Sequence, residues 1–466
     1  MYPIIPGVSV APAFGPAELP EGAIINSLGS NGVILPEKLQ KFTENITGER
    51  EDEWYLYLPD SYDGTKKVPL VLALHGGRSG GLHHAQTTSW TLVAEREGFI
   101  ACFPSHPKDQ EWIELADGLP KNGPDDYGLR YLKRLIEVLI QRYAIDPGKV
   151  YMNGMSAGCV TTLEFAKWYG NLLAGCAEDA GPSIRGTLFD ETGKPIAPAG
   201  PVPAYLFQGE LDSFPSDHTT TRQELNRYNR EYYKRINGCT EPPLLAIVGD
   251  SNYGYFRGMQ GDVLYRSMVE RHHGQPFDNA EVIWRWLFSG MRRGADGSIL
   301  RDEPVERFAG DPDAVAFAAG CEKVYVRGRV EKLAQPAAEY TEQVMAFGTG
   351  EKMDDIRYLY APAADLAALF GFDYETEEHG RRGFLKRENL TIQTADGNVA
   401  CYLNDRVCAL PRQAIFADGQ LLLPIRWFAE TVLGLAVTER DGALYCSTHG
   451  GRMSKDMAIL IREALE

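Results

Sequence analysis

The sequence predicts an α/β fold with a mainly parallel sheet, followed by a small α+β module. Three observations predict it. Short strand-like runs recur at Val68–Leu74, Val150–Met152, Val202–Gln208 and Val263–Val269, the first of them continuously apolar as in strands buried on both faces. Gly154-Met155-Ser156-Ala157-Gly158 then sits between one such run and the helix-like stretch Cys159–Ala166. Finally, the last third of the chain carries a weak internal repeat separated from the rest by a segment rich in glycine, proline and aspartate.

The 466-residue chain is longer than one ordinary domain. Its net charge of -17 argues against nucleic acid and anionic membranes as partners. No apolar stretch is long enough to span a bilayer, and the Met-Tyr-Pro-Ile-Ile-Pro start lacks the basic region and apolar core of a signal peptide. The 8 cysteines follow no framework spacing and read mostly as small buried hydrophobes, with one or two disulfides left open.

The Val68–Leu74 run feeds directly into His75-Gly76-Gly77-Arg78-Ser79-Gly80-Gly81. A strand followed by such a loop can present backbone N–H groups to an oxyanion, here those of Gly77 or Arg78 together with Ala157 after the nucleophile. His75 reads as a buried residue that shapes the loop. The G-x-S-x-G segment holds Ser156 on a tight strand-to-helix turn, because side chains at 154 and 158 would collide with the neighbouring strand and helix. Taken alone, that pattern also fits a plain turn.

The Val202–Gln208 run ends at Gly209-Glu210-Leu211-Asp212. A carboxylate just past a strand end can orient a histidine, which makes Asp212 the candidate acid and Asp217 its alternate, while Glu210 fits a loop hydrogen bond or ion pair. The last strand leads to Arg271-His272-His273-Gly274, ahead of a helix containing Asn279–Phe288. His273 is the candidate base. The order Ser156, Asp212, His273 is that of the α/β-hydrolase fold. No cysteine or acidic partner stands at zinc-like spacing from the paired histidines, so neither a metal nor a cofactor is expected. His83, Trp90, Trp112 and His272 are weaker candidates for contacting substrate, each equally compatible with core or surface.

Residues from about Trp54 to Met291 resemble the esterase family of polyhydroxybutyrate depolymerases and feruloyl esterases. The resemblance is carried by Tyr55–Pro59, Leu74–Gly77, Ala94–Phe99, Asp125–Leu132, Tyr143–Pro147 and Val150–Ala166. It implies a Ser-His-Asp triad acting on carboxylic esters, often hydroxycinnamate, acetyl or polyester substrates. The chain departs from the family pattern at Arg271-His272-His273-Gly274, where a Gly-His pair is usual, and in the long polar stretch from Phe214 to Gly261.

Beyond residue 320, Tyr358–Phe372 is echoed by Leu421–Leu435, each a short strand, a proline opening a helix and a glycine closing it. Residues from about Glu322 to Ser447 resemble the copper amine oxidase N-terminal-like domain, on Val-Tyr-Val-x-Gly, a proline-started helix and a later Pro-Ile-Arg helix. That resemblance implies an accessory module of secreted or cell-surface proteins, with cell-surface or polysaccharide contact and no oxidase chemistry. A module that only stabilises its neighbour is the plainer alternative.

The expected organisation is an N-terminal extension (1–50), an α/β-hydrolase esterase domain (51–292), a linker (293–319), the accessory domain (320–450) and a C-terminal helix (451–466). The expected function is a serine ester hydrolase acting through an acyl-enzyme on a small-molecule or polymeric ester, either feruloyl or acetyl esters of plant polysaccharide or polyester-type substrates. A serine peptidase of the same fold and a polyhydroxyalkanoate or aromatic polyester depolymerase are the rivals. A binding protein that had lost its catalysis would be expected to lack one triad member, and candidates for all three are present.

Overall fold

A computed structural model describes residues 38–106, 111–116, 119–214 and 220–466. The chain divides into two compact units, one running to Glu241 and resuming over Tyr255–Phe308, the other made of Pro242–Gly254 and Ala309–Glu466.

In the first unit the sheet contains β1 (Gln40–Glu44), β2 (Asp52–Tyr57), β3 (Val68–Leu74), β4 (Ile100–Ser105), β5 (Ile145–Met155), β6 (Gly175–Asp179), β7 (Ala204–Gly209) and β8 (Val263–Met268). They lie in the order β1-β2-β4-β3-β5-β6-β7-β8. β1 and β2 pair antiparallel, as do β2 and β4, and every pairing from β4 to β8 is parallel. The sheet is therefore mixed, with an antiparallel edge on a parallel body. Strands β3 and β5 to β8 are buried along most of their length, which explains why Val68–Leu74 reads as a continuous apolar run rather than an alternating one.

The helices are α1 (Gly81–Thr87), α2 (Trp90–Glu97), α3 (Tyr127–Arg142), α4 (Ala157–Tyr169), α5 (Arg222–Asn237) and α6 (Asn279–Trp286). α3 starts where the Asp126 carboxylate accepts the Gly128 amide and buries Leu129, Leu132, Leu135, Ile136 and Leu139 on one stripe. α5 opens with a reciprocal Thr221–Glu224 capping box and closes at Gly238, whose φ of 68° is the left-handed cap.

Two expected boundaries differ. Residues 40–44 of the supposed extension pair with β2, while residues 1–37 lie outside the described part. The supposed linker is partly folded into the first unit, where Met291–Arg293 pairs antiparallel with Ile299–Arg301. Buried Arg293 donates to the carbonyls of Leu173, Gly170 and Pro201, so this segment is fastened by backbone acceptors that a composition reading cannot register.

The second unit consists mostly of antiparallel sheets. Beyond residue 308 its strands are β9 (Val315–Ala318), β10 (Lys323–Val326), β11 (Arg329–Lys332), β12 (Ala338–Met345), β13 (Lys352–Pro362), β14 (Asp373–Glu377), β15 (Arg382–Arg387), β16 (Leu390–Ala395), β17 (Ala400–Leu403), β18 (Arg406–Ala409), β19 (Ile415–Ala417), β20 (Gln420–Pro424), β21 (Ala436–Arg440) and β22 (Ala443–Ser447). They form sheets β11-β10-β9-β22-β21, β12-β13-β20-β19 and β14-β15-β16-β17-β18. Helix is limited to α7 (Ala363–Phe370), a single 3-10 turn at Glu378–Gly380, a short turn over Ile425–Val432 and α8 (Lys455–Leu465). The strands opening the two repeat halves pair with each other, Tyr360 opposite Pro424 and Pro362 opposite Leu422. Each half closes on a left-handed glycine, Gly371 at φ 72° and Gly434 at φ 68°. Leu359, Leu366, Leu385, Ile392, Leu423, Trp427 and Phe428 are among the residues of the shared core.

The segment Pro242–Gly254 joins this second unit through contacts remote in sequence. Tyr325 Oη accepts the Leu245 amide, Gly249 bridges Gly451, and Arg452 pairs with Asp250. All 8 cysteines are free thiols. Among the described residues no helix is long and apolar enough to cross a membrane.

Candidate active site

Ser156 lies on the turn between β5 and α4 at φ 56°, ψ −117°, a conformation that costs a non-glycine residue about 1–3 kcal/mol and persists only when its surroundings impose it. The surroundings do so. The Ser156 amide donates to the Asp179 carbonyl at 2.9 Å, and the Ser156 carbonyl accepts the amides of Cys159 and Val160. A Cβ on Gly154 would stand 2.1 Å from the Gly158 carbonyl oxygen, and one on Gly158 would stand 2.5 Å from that of His75. Both glycines are thus required by close approach of backbone to backbone rather than by their own dihedral angles.

His273 Nε2 is 2.9 Å from Ser156 Oγ. Its Nδ1 lies 3.0 Å from both carboxylate oxygens of Asp212. A carboxylate can only accept here, so Nδ1 carries the proton and Nε2 is left to accept from the serine hydroxyl. The Asp212 side chain is fully buried and also accepts the Phe214 amide at 2.8 Å. The Phe214 ring packs 5.1 Å from that of His273. His272 is exposed. Glu210 accepts the Glu270 amide, the loop hydrogen bond its position predicted, and Asp217 lies outside the described residues.

The His75-Gly76-Gly77-Arg78 loop lies against the Ser156 turn. A Cβ on Gly76 would come within 2.9 Å of Met155 Sδ and 3.3 Å of Ser156 Cβ, and one on Gly77 within 3.8 Å of Ala157 Cβ. Arg78 has a positive φ of 53°. His75 is buried, donates from Nδ1 to the Gly76 carbonyl and accepts the His106 amide at Nε2. Burial holds its pKa well below the usual range, so it stays neutral and shapes the loop.

Gly77, Arg78, Ser156, Ala157 and His273 open on one cavity of about 540 Å³, walled chiefly by Trp112, Ile113, Leu115, Met155, Val160 and Phe214. Of the four weaker candidates only Trp112 lines it, and Trp112 is itself pinned by its indole N–H on the His75 carbonyl. Trp90 is a core residue, stacked on Phe288 with its indole N–H on Asn153. Half-buried His83 contacts Ser79. His83, Trp90 and His272 are not among the residues lining this cavity. Glu111, Met155, Val160 and Phe214 also line it; Met155 and Val160 flank the nucleophile turn, while the sequence around Glu111 and Phe214 carries no signal for a pocket.

A second feature escaped the sequence reading. β6 ends in two adjacent buried carboxyls, Glu178 and Asp179. Glu178 accepts the Gly181 amide, and Asp179 is held by the side-chain amides of Asn153 and Asn279. Burial raises Glu178 to a pKa of about 8 and Asp179 to about 7. The usable signal was the pair Glu178-Asp179 ending an otherwise apolar strand. Cys159 sits beside them with its thiol on the Gly181 carbonyl, and burial pushes its pKa up, so it is packed rather than poised as a nucleophile. Among the described residues, Asp311, Asp313 and His449 of the second unit bring potential metal ligands within 4.8 Å, but Asp311 is already engaged by the hydroxyls of Tyr445 and Ser447.

Sheet order and turn define the first unit as an α/β-hydrolase fold carrying a serine, histidine and carboxylate in hydrogen-bonded line. Residues 53–192 match the family model "Esterase PHB depolymerase". That stretch takes in Gly77, Arg78, Ser156 and Ala157 and stops short of Asp212 and His273. The chain is 25% identical over 189 residues to feruloyl esterase B of Talaromyces stipitatus, covering 40% of this chain and 47% of the relative. It is 27% identical over 120 residues to poly(3-hydroxyalkanoate) depolymerase C of Paucimonas lemoignei, covering 24% and 28%. A bifunctional acetylxylan esterase/xylanase of Neocallimastix patriciarum is 26% identical over 142 residues, covering 30% and 20%. The chain spans less than half the length of each of these relatives. Among solved structures, the acetyl xylan esterase from Aspergillus awamori aligns with a TM-score of 0.41 at 17% identity, covering 53% of this chain and 97% of that one.

Proposed function

We propose that the protein is a serine carboxylic-ester hydrolase that works through an acyl-enzyme. The observation that carries this reading is the unbroken line Ser156 Oγ to His273 Nε2 and His273 Nδ1 to Asp212, opening on a mostly apolar cavity. Ser156 attacks the ester carbonyl as His273 takes its proton; His273 returns that proton to the leaving alcohol, and water repeats the cycle on the acyl-enzyme. Asp212 fixes the tautomer of His273 and stabilises the imidazolium. The amide of Ala157, at the N-terminus of α4, and that of Gly77 or Arg78 hold the oxyanion.

The wall of Trp112, Ile113, Leu115 and Phe214 favours an apolar acyl or alcohol group. Feruloyl or acetyl esters of plant polysaccharide and polyester-type substrates are the classes that the similar esterases and depolymerase bring to this site. The second unit is read as an accessory module like the copper amine oxidase N-terminal-like domain, contacting a polysaccharide or cell surface. The test is turnover of nitrophenyl esters, methyl ferulate, acetylated xylan and hydroxybutyrate oligomers against peptide anilides, with Ser156→Ala as control. Ester hydrolysis should exceed anilide hydrolysis and fall by several powers of ten in the variant. Retention of more than about a tenth of turnover would sink the assignment of Ser156.

A further inference from the structure

The β14–β18 meander has two unlike faces. Leu385, Ile392 and Cys401 point into the core of the second unit. The alternating positions point outward, and the strand register sets five of them in one row across the sheet: Glu375 opposite Phe384, Phe384 opposite Gln393, Gln393 opposite Tyr402, and Tyr402 opposite Val407. Tyr402 is 50% exposed and Val407 71%. The face is concave. A cavity of about 940 Å³ lies over it, bordered by Phe384, Tyr402 and the polar side chains between and beside them. Such a volume is at the upper end of the roughly 300–1,000 Å³ of small-ligand sites.

Phe384 and Tyr402 stand two strands apart, about 9.5 Å, with Gln393 between them. That is close to the length of two linked pyranose rings. Each aromatic offers an electron-rich face to the C–H groups of a sugar ring, while an amide between them can both donate to and accept from hydroxyls. Asp373, Glu375 and Asp405 add acceptors for hydroxyl protons on the same cavity, and Lys386 adds one donor. Three carboxylates against one ammonium repel nucleic acids and anionic polymers, leaving an uncharged polyol as the complementary occupant.

We propose that this face binds a neutral polysaccharide, two sugar rings stacking on Phe384 and Tyr402 while Gln393 and the flanking carboxylates hold their hydroxyls. The proposal rests on the reading of the second unit as an accessory module and does not depend on the ester chemistry. It is tested with the full-length protein by affinity electrophoresis through gels containing arabinoxylan, xyloglucan or hydroxyethylcellulose, with poly-lysine and heparin as charged comparisons. At least one neutral polysaccharide should retard the protein. Tyr402→Ala and Phe384→Ala should each raise Kd about tenfold, the equivalent of one lost ring contact. Gln393→Ala, which leaves both rings in place, should also weaken retardation. All three should melt as wild type does, which shows that the second unit folds, and keep wild-type turnover on a nitrophenyl ester, and Ser156→Ala should bind as wild type does. The proposal is overturned if no neutral polysaccharide retards the protein, if the Phe384→Ala/Tyr402→Ala double variant is retarded undiminished, or if only a charged polymer binds.

Discussion

Replacing Asp212 by asparagine probes the proposed proton relay with little change of volume. In the native site both carboxylate oxygens lie 3.0 Å from His273 Nδ1, and Oδ1 also accepts the Phe214 amide. An asparagine keeps its oxygen on the Phe214 amide and therefore sets its NH2 group where Oδ2 was, facing Nδ1. Nδ1 then faces a donor beside its remaining acceptor, which favours moving the imidazole proton to Nε2, the nitrogen that should accept from Ser156. The charge that stabilises the imidazolium is lost at the same time. Loss of the correct tautomer in a serine triad costs about ten-thousandfold in turnover, or about 5 kcal/mol of barrier. The assay is kcat on a nitrophenyl ester, with thermal melting to show that the fold survives. A loss under about tenfold in a folded Asp212→Asn protein would refute the role given to Asp212.

Three further outcomes are expected. His273→Ala should lose about as much turnover as Ser156→Ala, and the double variant little more, because such residues act as a unit; exposed His272 should tolerate alanine with a modest change, and a larger loss there would shift the loop register by one. Gly158→Ala should lower both Tm and turnover, costing about 1–3 kcal/mol, since its Cβ would meet backbone oxygens at 2.5 and 2.6 Å, whereas Gly80→Ala, with only Ser105 Oγ at 3.8 Å, should be nearly neutral; equal melting of the two would contradict the close-approach argument. Because burial lifts Glu178 from 4.5 to about 8, the folded protein keeps a proton that the unfolded chain releases, so this group lowers stability as pH climbs from about 4.5 and levels off above about 8. Glu178→Gln keeps an acceptor for the Gly181 amide and should flatten that part of the pH–Tm profile; an unchanged slope would reject the assignment.

The site was legible where chemistry depends on short-range constraint. Gly154 and Gly158 are dictated by contacts within a few residues or with the adjoining strand, and Asp212 and His273 by their places just beyond strand ends. Pocket lining was not legible. Trp90 and Trp112 look alike in sequence, yet one stacks on Phe288 and the other flanks His75, a difference set by tertiary packing. The division into units was hidden for the same reason, since Pro242–Gly254 joins the second unit through partners about 80 and 200 positions away, such as Tyr325 and Arg452. Composition likewise marked 293–319 as a linker because of its glycine, proline and aspartate residues, while the buried guanidinium of Arg293 decides its fate.

The central claim is that Ser156 carries the acyl group. Mixing the protein with a fluorophosphonate that traps activated serines, then measuring intact mass and mapping the labelled peptide, tests it most directly. The account predicts one adduct per chain, on Ser156, formed in step with loss of esterase activity and absent from Ser156→Ala and from His273→Ala. An adduct on another residue, or full inactivation with Ser156 unlabelled, would contradict it.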